Sequence, residues 1–467
     1  MIETALQIAV IVCFAYLLLV NVVAIAFLVL GAIENAVRRH EEASTDYGML
    51  GSSRFTIPVS VIVAAYNEEA VIQSSVTSLL GFDYPEFEVI VVNDGSSDAT
   101  LERMQEAFDL IPYEVFVRHI FPAEPVRGIY RSAHHPNLVV VDKENGGKAD
   151  AWNAALNVAK YRYVCGVDAD TVFDKKALLK VMRYPMNDPA RVVGVTSQIA
   201  TANEPEKILA LPPGRRRVDG GVLGLYQHLD FLRAFLNNRL AWSRFGFMMC
   251  SPGGFQIWRR DVLEEVGGYA RDFTCEDIEL TFRIHDRFRR EGRDYHIACL
   301  PDSVGVTEGP DDVRKLVSQR ERWQRVINET VIHYRRMWFN PRYGSVGMVG
   351  APFYLLTEVL SPVVELVALG SLALAVALGL FDVDVFLVVV AAMAFLNAAL
   401  TAGAILLDDV QSRLYRVRDL VRLLAMAPLD IVLYRPIIAW ARFKGSWRYL
   451  RGDKAWHKFE RNVRAPA

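Results

Sequence analysis

Positions 5–33 carry no charged residue, and Gln7 and Asn21 are the only strongly polar side chains among them. A single α-helix needs roughly 20 apolar residues to cross a hydrocarbon layer about 30 Å thick, so this run reads as a membrane helix before it reads as anything else. A secretory signal has a basic start and a shorter apolar core. Met1-Ile2-Glu3-Thr4 offers no Lys or Arg, so the run is expected to be a retained anchor. Arg38 and Arg39 follow it directly, which places the next region in the cytoplasm and the N-terminus outside.

Apolar runs return at 346–381 and 385–407, separated by Asp382 and Asp384. The acidic turn suits the outer face, and Arg413, Arg416, Arg418 and Arg422 suit the inner one. A further stretch, 423–443, contains Pro428, Asp430, Arg435 and Pro436, and spanning there would export a basic tail. It is expected to be interfacial or re-entrant, with Trp440, Trp447 and Trp456 in the headgroup belt. The chain therefore divides into an anchor (1–36), a catalytic region (54–310), an interfacial helix (311–345), membrane helices (346–407) and a basic tail (408–467). A net charge of −2 argues against a nucleic-acid partner. Five scattered cysteines without Cys-x-x-Cys spacing indicate neither a zinc cage nor a disulfide framework, and fit a reducing compartment.

Between the spans, strand and helix patterns alternate. The nearly continuous apolar run 57–65 suits a strand covered on both faces, with a helix over 68–80, a strand over 87–93, and Asp98 capping a helix over 99–110. Strand 138–141, helix 148–160 and strand 163–167 repeat the order. Such βαβα alternation predicts an α/β, mostly parallel, doubly wound sheet whose ligands sit at the carboxyl ends of its strands.

Acidic motifs fall at those ends. Asn93-Asp94-Gly95-Ser96-Ser97 is either a tight turn with a helix cap or a carboxylate that accepts hydrogen bonds from a nucleotide base. Asn145-Gly146-Gly147-Lys148 lacks the Walker spacing; Lys148 at a helix start instead offers an ammonium to a diphosphate. Asp168 and Asp170 end a buried strand, where two carboxylates repel each other unless a cation such as Mg²⁺ or Mn²⁺ joins them. Glu276-Asp277 is either favourable acid at a helix N-terminus or a proton acceptor, because a sugar hydroxyl attacks an anomeric carbon only with a base in reach; Asp277 is the expected base. On a helix over 312–338, Gln319, Arg320, Arg322 and Trp323 are either an exposed basic face or a frame in which Arg320 or Arg322 neutralises a departing diphosphate and Trp323 presents a flat face to a pyranose. Two features stand apart. Loop 204–221, with Pro212-Pro213-Gly214-Arg215-Arg216-Arg217, leads into a helix over 223–240 as a lid or an insertion, and His134-His135 are surface residues.

Val59-Ser60-Val61-Ile62-Val63-Ala64-Ala65-Tyr66-Asn67-Glu68-Glu69, Asn93-Asp94-Gly95-Ser96, Lys143 to Asp150, Asp168-Ala169-Asp170, Cys275-Glu276-Asp277 and Gln319-x-x-Arg322-Trp323, in this order, resemble the membrane-integral family 2 glycosyltransferases, the group of cellulose, hyaluronan and poly-N-acetylglucosamine synthases. The resemblance implies a cytoplasmic GT-A (nucleotide-diphospho-sugar transferase) domain at the plasma (inner) membrane, a UDP-sugar donor, Mg²⁺ or Mn²⁺, and inversion at the anomeric carbon. Ala65, Tyr66, Glu68, Asp94, Lys148 and Asp168 would surround the donor, Asp168 and Asp170 the metal, and Glu276, Gln319, Arg320, Arg322 and Trp323 the acceptor and diphosphate, with Asp277 as base. The acceptor loop falls at 250–258 by position. Cys275 departs from the family's Thr. The expected function is extension of a β-linked polysaccharide on a glycan or glycolipid acceptor at the bilayer, with room for an accessory export subunit. A single-transfer glycolipid synthase and a non-catalytic nucleotide-sugar receptor are the alternatives.

Overall fold

The computed structural model describes residues 2–53, 55–115, 117–201, 221–380, 382–412 and 415–453. Loop positions 204–220, Arg413 and Trp456 lie outside them.

Ten strands form one mixed sheet: β1 (Val59–Ala65), β2 (Phe87–Asp94), β3 (Leu110–Pro112), β4 (Val126–Ser132), β5 (Leu138–Lys143), β6 (Tyr163–Asp168), β7 (Thr171–Phe173), β8 (Val192–Thr201), β9 (Phe255–Arg259) and β10 (His296–Thr307), in the order β3-β4-β5-β2-β1-β6-β9-β8-β10-β7. The parallel block β5-β2-β1-β6 is the doubly wound half expected from sequence. Beyond β6 the expectation of a mostly parallel sheet needs correction, because β9 runs antiparallel between β6 and β8. In the parallel block, successive side chains point to opposite faces and both faces are covered. Ile62, Ile90, Val92 and Val164 pack on one side, and Val61, Val63, Val89 and Val91 on the other.

The sheet is wound by α2 (Ile72–Leu80), α3 (Thr100–Phe108), α4 (Lys148–Val158) and α5 (Ala177–Asn187). Helix α2 starts four residues later than the pattern 68–80 suggests. Asn67 adopts a left-handed backbone (φ 53°), and the loop is fixed by Asn67 N–H to Ser96 Oγ (3.0 Å) and Glu68 N–H to Thr100 Oγ1 (2.8 Å). Asp98 accepts the Thr100 N–H (3.0 Å) at the start of α3, as a cap should. After 221 come α6 (Gly221–Leu232) and a π-helical turn (Arg233–Arg239), then α7 (Glu276–Arg290) and α8 (Val313–His333), which stops short of the expected 338.

Among the described residues three helices are long and apolar enough to cross a membrane: Leu6–Ala43 within α1 (Ile2–Ala43), Val346–Ala377, and Phe386–Val410 within α10 (Val383–Ser412). The second begins with π-helical turns (Val346–Gly350 and Leu355–Leu360) around Pro352 before α9 (Ser361–Ala377), since a proline inside a helix removes a donor and crowds the preceding turn. The doubtful fourth stretch is two helices, Val417–Leu433 and α11 (Arg435–Leu450), bent by 48°. The bend fits the interfacial or re-entrant expectation or one broken span. Arg435 pairs with Asp430 (3.1 Å), Glu358 pairs with Arg442 (3.0 Å), and Glu365 accepts from Ser361 (2.6 Å).

Helix α1 meets the sheet domain at its C-terminal end. A Cβ on Gly31 would lie 2.6 Å from the Leu236 carbonyl, so α1 crosses the π-helical turn in backbone contact. Buried Glu34 takes Arg38 (2.6 Å) and Arg244 (2.8 Å), and Arg38 donates to Tyr184 Oη (2.8 Å).

Candidate active site

Parallel register brings the carboxyl ends of β1, β2, β5 and β6 to one edge, where Asp94 lies beside Lys143 and Ala64 beside Asp168. Asp94 is buried, and the Gly-rich loop before α4 is built on it. Its carboxylate accepts from Gly146 N–H (3.0 Å), Gly147 N–H (2.8 Å), Asn145 Nδ2 (3.2 Å) and Lys143 Nζ (2.6 Å). In this state the side chain expected at the nucleotide base serves as the loop's anchor. Sequence reasoning missed what lies beneath. Lys143, fully buried, bridges Asp94 and equally buried Asp150 at 2.6 Å each, and Asp150 takes Arg271 Nε (2.9 Å) and the Glu124 N–H (3.1 Å). Helix α4 also holds the chain ahead of Cys275 through Asn153, which donates to Tyr269 O (2.9 Å) and accepts from Tyr269 N–H (2.8 Å). One helix thus fixes both the donor-side loop and the segment leading to Glu276-Asp277.

Above this base four expected residues meet. Lys148 Nζ lies 2.7 Å from Asp168 Oδ1 and 2.9 Å from Glu276 Oε1, over the Trp152 ring at 4.4 Å. Burial lowers its pKa, but Asp168, Glu276 and Asp277 outweigh that, leaving it well above the usual lysine value and firmly protonated. Asp277, at the first turn of α7, accepts from Gly253 N–H (2.8 Å), Cys275 Sγ (2.9 Å) and its neighbour's Ile278 N–H (2.5 Å). Burial and the two acidic neighbours push the Cys275 thiol well up, so it stays a donor to the carboxylate.

The loop assigned to the acceptor by position is therefore in contact with the expected base. Glycines are required there. A Cβ on Gly253 would come within 2.9 Å of Lys148 Nζ and 3.4 Å of Asp277 Oδ2, and one on Gly254 within 3.5 Å of Asp168 Oδ2. They keep open a cradle lined by carboxylate oxygens, the hard donors that Mg²⁺ or Mn²⁺ prefers. Asp168 and Asp170 fit such an ion as a partial ligand set. Among the described residues no group of three or more His, Cys, Asp or Glu could hold a metal.

The 319–323 motif divides. Burial lowers the Arg322 pKa, while Cys275, Asp168 and Glu276 act the other way, which places Arg322 beside the cluster. Arg320 is instead buried, paired with Asp230 (3.0 Å) and 4.2 Å over the Trp323 ring, so its charge is committed to holding that indole. Trp323, 37% exposed, packs near Phe231 (6.3 Å), and Gln319 Oε1 is buried without a hydrogen-bond partner. Ala65 is buried in β1, and Tyr66 and Glu68 are half-buried in the loop after it.

A GT-A type sheet with an acidic strand end, a Gly-rich loop and a helix-borne carboxylate around one cleft defines a nucleotide-sugar transferase fold. Residues 60–267 match the family described as Glycosyl transferase family 2, and the chain carries a glycosyltransferase domain of that family. Among curated proteins it is 28% identical over 281 residues to a poly-beta-1,6-N-acetyl-D-glucosamine synthase of Staphylococcus epidermidis, covering 60% of this chain and 56% of that one. It is 24% identical over 275 residues to the synthase of the same description from Staphylococcus aureus strain COL, covering 59% and 55%. The chain spans about half the length of these relatives. A mannosyltransferase from Pyrobaculum calidifontis, solved in complex with GDP-Man and Mn2+, shares the fold with a TM-score of 0.55 at 17% identity, covering 95% of this chain and 99% of that one.

Proposed function

We propose that the protein is an inverting glycosyltransferase that uses a UDP-sugar to extend a β-linked polysaccharide at the cytoplasmic face of the membrane, with coupled translocation. The observation that carries this reading is the convergence of Lys148, Asp168, Glu276, Asp277 and the Gly253 N–H within one cleft. The curated relatives' names, all poly-N-acetylglucosamine synthases, support it and make UDP-N-acetylglucosamine the first donor to test.

In this reading the acceptor hydroxyl gives its proton to Asp277 as its oxygen attacks the anomeric carbon, and the bond from that carbon to the diphosphate breaks on the opposite side. Gly253 N–H, Cys275 S–H and the Ile278 N–H at the start of α7 fix the carboxylate's direction. Lys148 and Arg322 neutralise the departing diphosphate, and Trp323 orients the acceptor ring. Asp168 and Asp170 would hold Mg²⁺ or Mn²⁺, which when bound supplies further charge stabilisation to the leaving group.

The test is UDP release by the full-length protein in lipid nanodiscs across a panel of UDP-sugars, with and without Mn²⁺. Asp277→Asn is expected to lower turnover by about 10²–10⁴-fold, the range for a lost general base. Unchanged turnover refutes the base assignment, and no UDP release from any donor turns the reading toward a receptor. Product size decides the rest: long ladders support a polymerase, and a single added sugar assigns a glycolipid synthase.

A further inference from the structure

Within the cleft Lys148 occupies a particular place. Its ammonium joins Asp168, at the end of β6, to Glu276, on α7, and so ties the donor wall of the cleft to the acceptor wall through two short ion pairs. The face of Trp152 backs it at 4.4 Å, and Trp152 is itself fully buried against Gly166, so the ammonium has a built seat. On the open side Gly253 leaves room for it, since a Cβ there would lie 2.9 Å from Nζ. The cation that answers the charge of the acidic strand end is thus part of the chain.

We propose that Lys148 is a resident counter-cation that latches the cleft before the nucleotide binds, and that a divalent metal enters only together with the nucleotide diphosphate, in exchange for it. The proposal rests on the glycosyltransferase reading and adds an order of events to it. A metal arriving alone meets an Asp168 oxygen already paired with an ammonium at 2.7 Å, and no ready group of three protein ligands among the described residues. A metal arriving with a diphosphate brings the missing oxygens and gives the displaced ammonium a new anionic partner within the reach of its side chain. Ionic partners change in the exchange: Asp168 trades an ammonium for a metal, and Lys148 trades Asp168 and Glu276 for phosphate oxygens. Glu276 is released at the same moment, which frees the acceptor wall from the donor wall. No covalent bond is made or broken.

The experiment titrates Mn²⁺ by electron paramagnetic resonance into the full-length protein in nanodiscs, with and without UDP. In the wild type, UDP is expected to tighten Mn²⁺ binding by at least about tenfold, within the usual range of coupling between two ligands. Lys148→Met is expected to tighten binding without UDP by about tenfold and to shrink the UDP-linked gain. Glu276→Gln, which removes one of the two holds, moves the same way by a smaller factor and decides the matter if Lys148→Met does not fold. If UDP-linked uptake is present but both variants bind Mn²⁺ alone within about twofold of wild type, the latch is refuted and the transferase reading stands. Absence of UDP-linked uptake in the wild type overturns the transferase reading and the latch with it.

Discussion

Lys143→Met tests whether the buried charges under the Gly-rich loop hold the donor side together. The ammonium is fully buried, and it is the shared partner of Asp94 and Asp150 at 2.6 Å each. Methionine fills a similar volume, so the loss reports charge more than packing. Removing one partner of a buried ion pair costs about 3–5 kcal/mol, because the remaining charge is left without compensation. Here Asp94 keeps the Gly146 and Gly147 N–H groups, and Asp150 keeps Arg271 at 2.9 Å. That points to the lower end of the range, about 3 kcal/mol. At roughly 2–4 °C per kcal/mol for a domain of this size, the melting temperature should fall by about 6–12 °C. Thermal unfolding of the full-length protein in nanodiscs, followed by tryptophan fluorescence, measures it. Adding Asp150→Asn should restore part of the loss, since the neutral side chain no longer needs the ammonium, and the double-mutant cycle should show coupling above about 1 kcal/mol. A fall of less than about 2 °C, with no coupling, would refute the reasoning.

Gly445→Leu should separate α11 from α8. A Cβ at Gly445 would lie 2.4 Å from the Glu321 carbonyl, a backbone atom that cannot turn aside, so turnover should fall at least about tenfold while UDP affinity stays within about threefold, because the donor loop is built on other elements. Equal loss of both in kinetic and calorimetric assays would contradict this. Stability should also decline on acidification. Burial depresses His228, His285 and His296 to about 4, so each stays neutral in the fold while the unfolded chain takes protons below about 6.5, and folded-state stability is lost as pH falls through that window. Asp302, raised by burial to about 6, takes its proton earlier in the fold and opposes the trend between pH 6 and 4. Three groups against one leave a net loss of a few kcal/mol from pH 7 to pH 5, and denaturant titrations that show equal or greater stability at pH 5 would overturn the argument.

The strands that could be read from sequence are those in the parallel block. Val59–Ala65 and Phe87–Asp94 are covered on both faces, so their apolar runs are nearly unbroken. Strands β8 and β10 are equally buried but carry Thr196, Ser197 and Gln198 in one and Asp302 and Ser303 in the other; Thr196 and Ser197 find partners across the sheet, while Gln198 reaches Asp408 and Asp302 reaches Arg183. Ser197 Oγ, for example, donates to the Asp302 carbonyl (2.6 Å), a pairing no local pattern announces. The same difference runs through the site. Asp168, Glu276, Asp277 and Arg322 could be found because their chemistry is visible at a strand end, a helix start or a motif. Lys143 and Asp150 could not, because their meaning lies in strand register and in a helix that turns back over the loop. Arg320, two positions from Arg322 on the same helix, pairs with Asp230, a partner no local pattern announces.

Helix α8 shows how the membrane-flanking part of the chain enters the site's geometry. Arg322 lies beside the cleft cluster, while Glu321, Gln324, Arg325 and Asn328, spaced i, i+3, i+4 and i+7, form another face. That face is polar, yet all four residues are buried, because α11 lies against it. Glu321 takes Lys444 (3.0 Å) and Arg448, Gln324 accepts from Arg442 (2.8 Å), Asn328 donates to Ser446 Oγ (3.0 Å), and Arg325 donates to the Asp453 carbonyl (2.8 Å). Arg442 reaches on to Glu358 at the start of the second apolar helix (3.0 Å), and Gln324 donates to the Glu358 carbonyl (2.6 Å). Groups this buried are costly unless every partner is in place, so α8 has one favourable seating between α11, the second apolar helix and the cleft. The position of Arg322 relative to Asp168 and Glu276 is therefore set from the membrane-flanking side, and a shift of α11 or of the helix bearing Glu358 reaches Arg322 through one rigid helix.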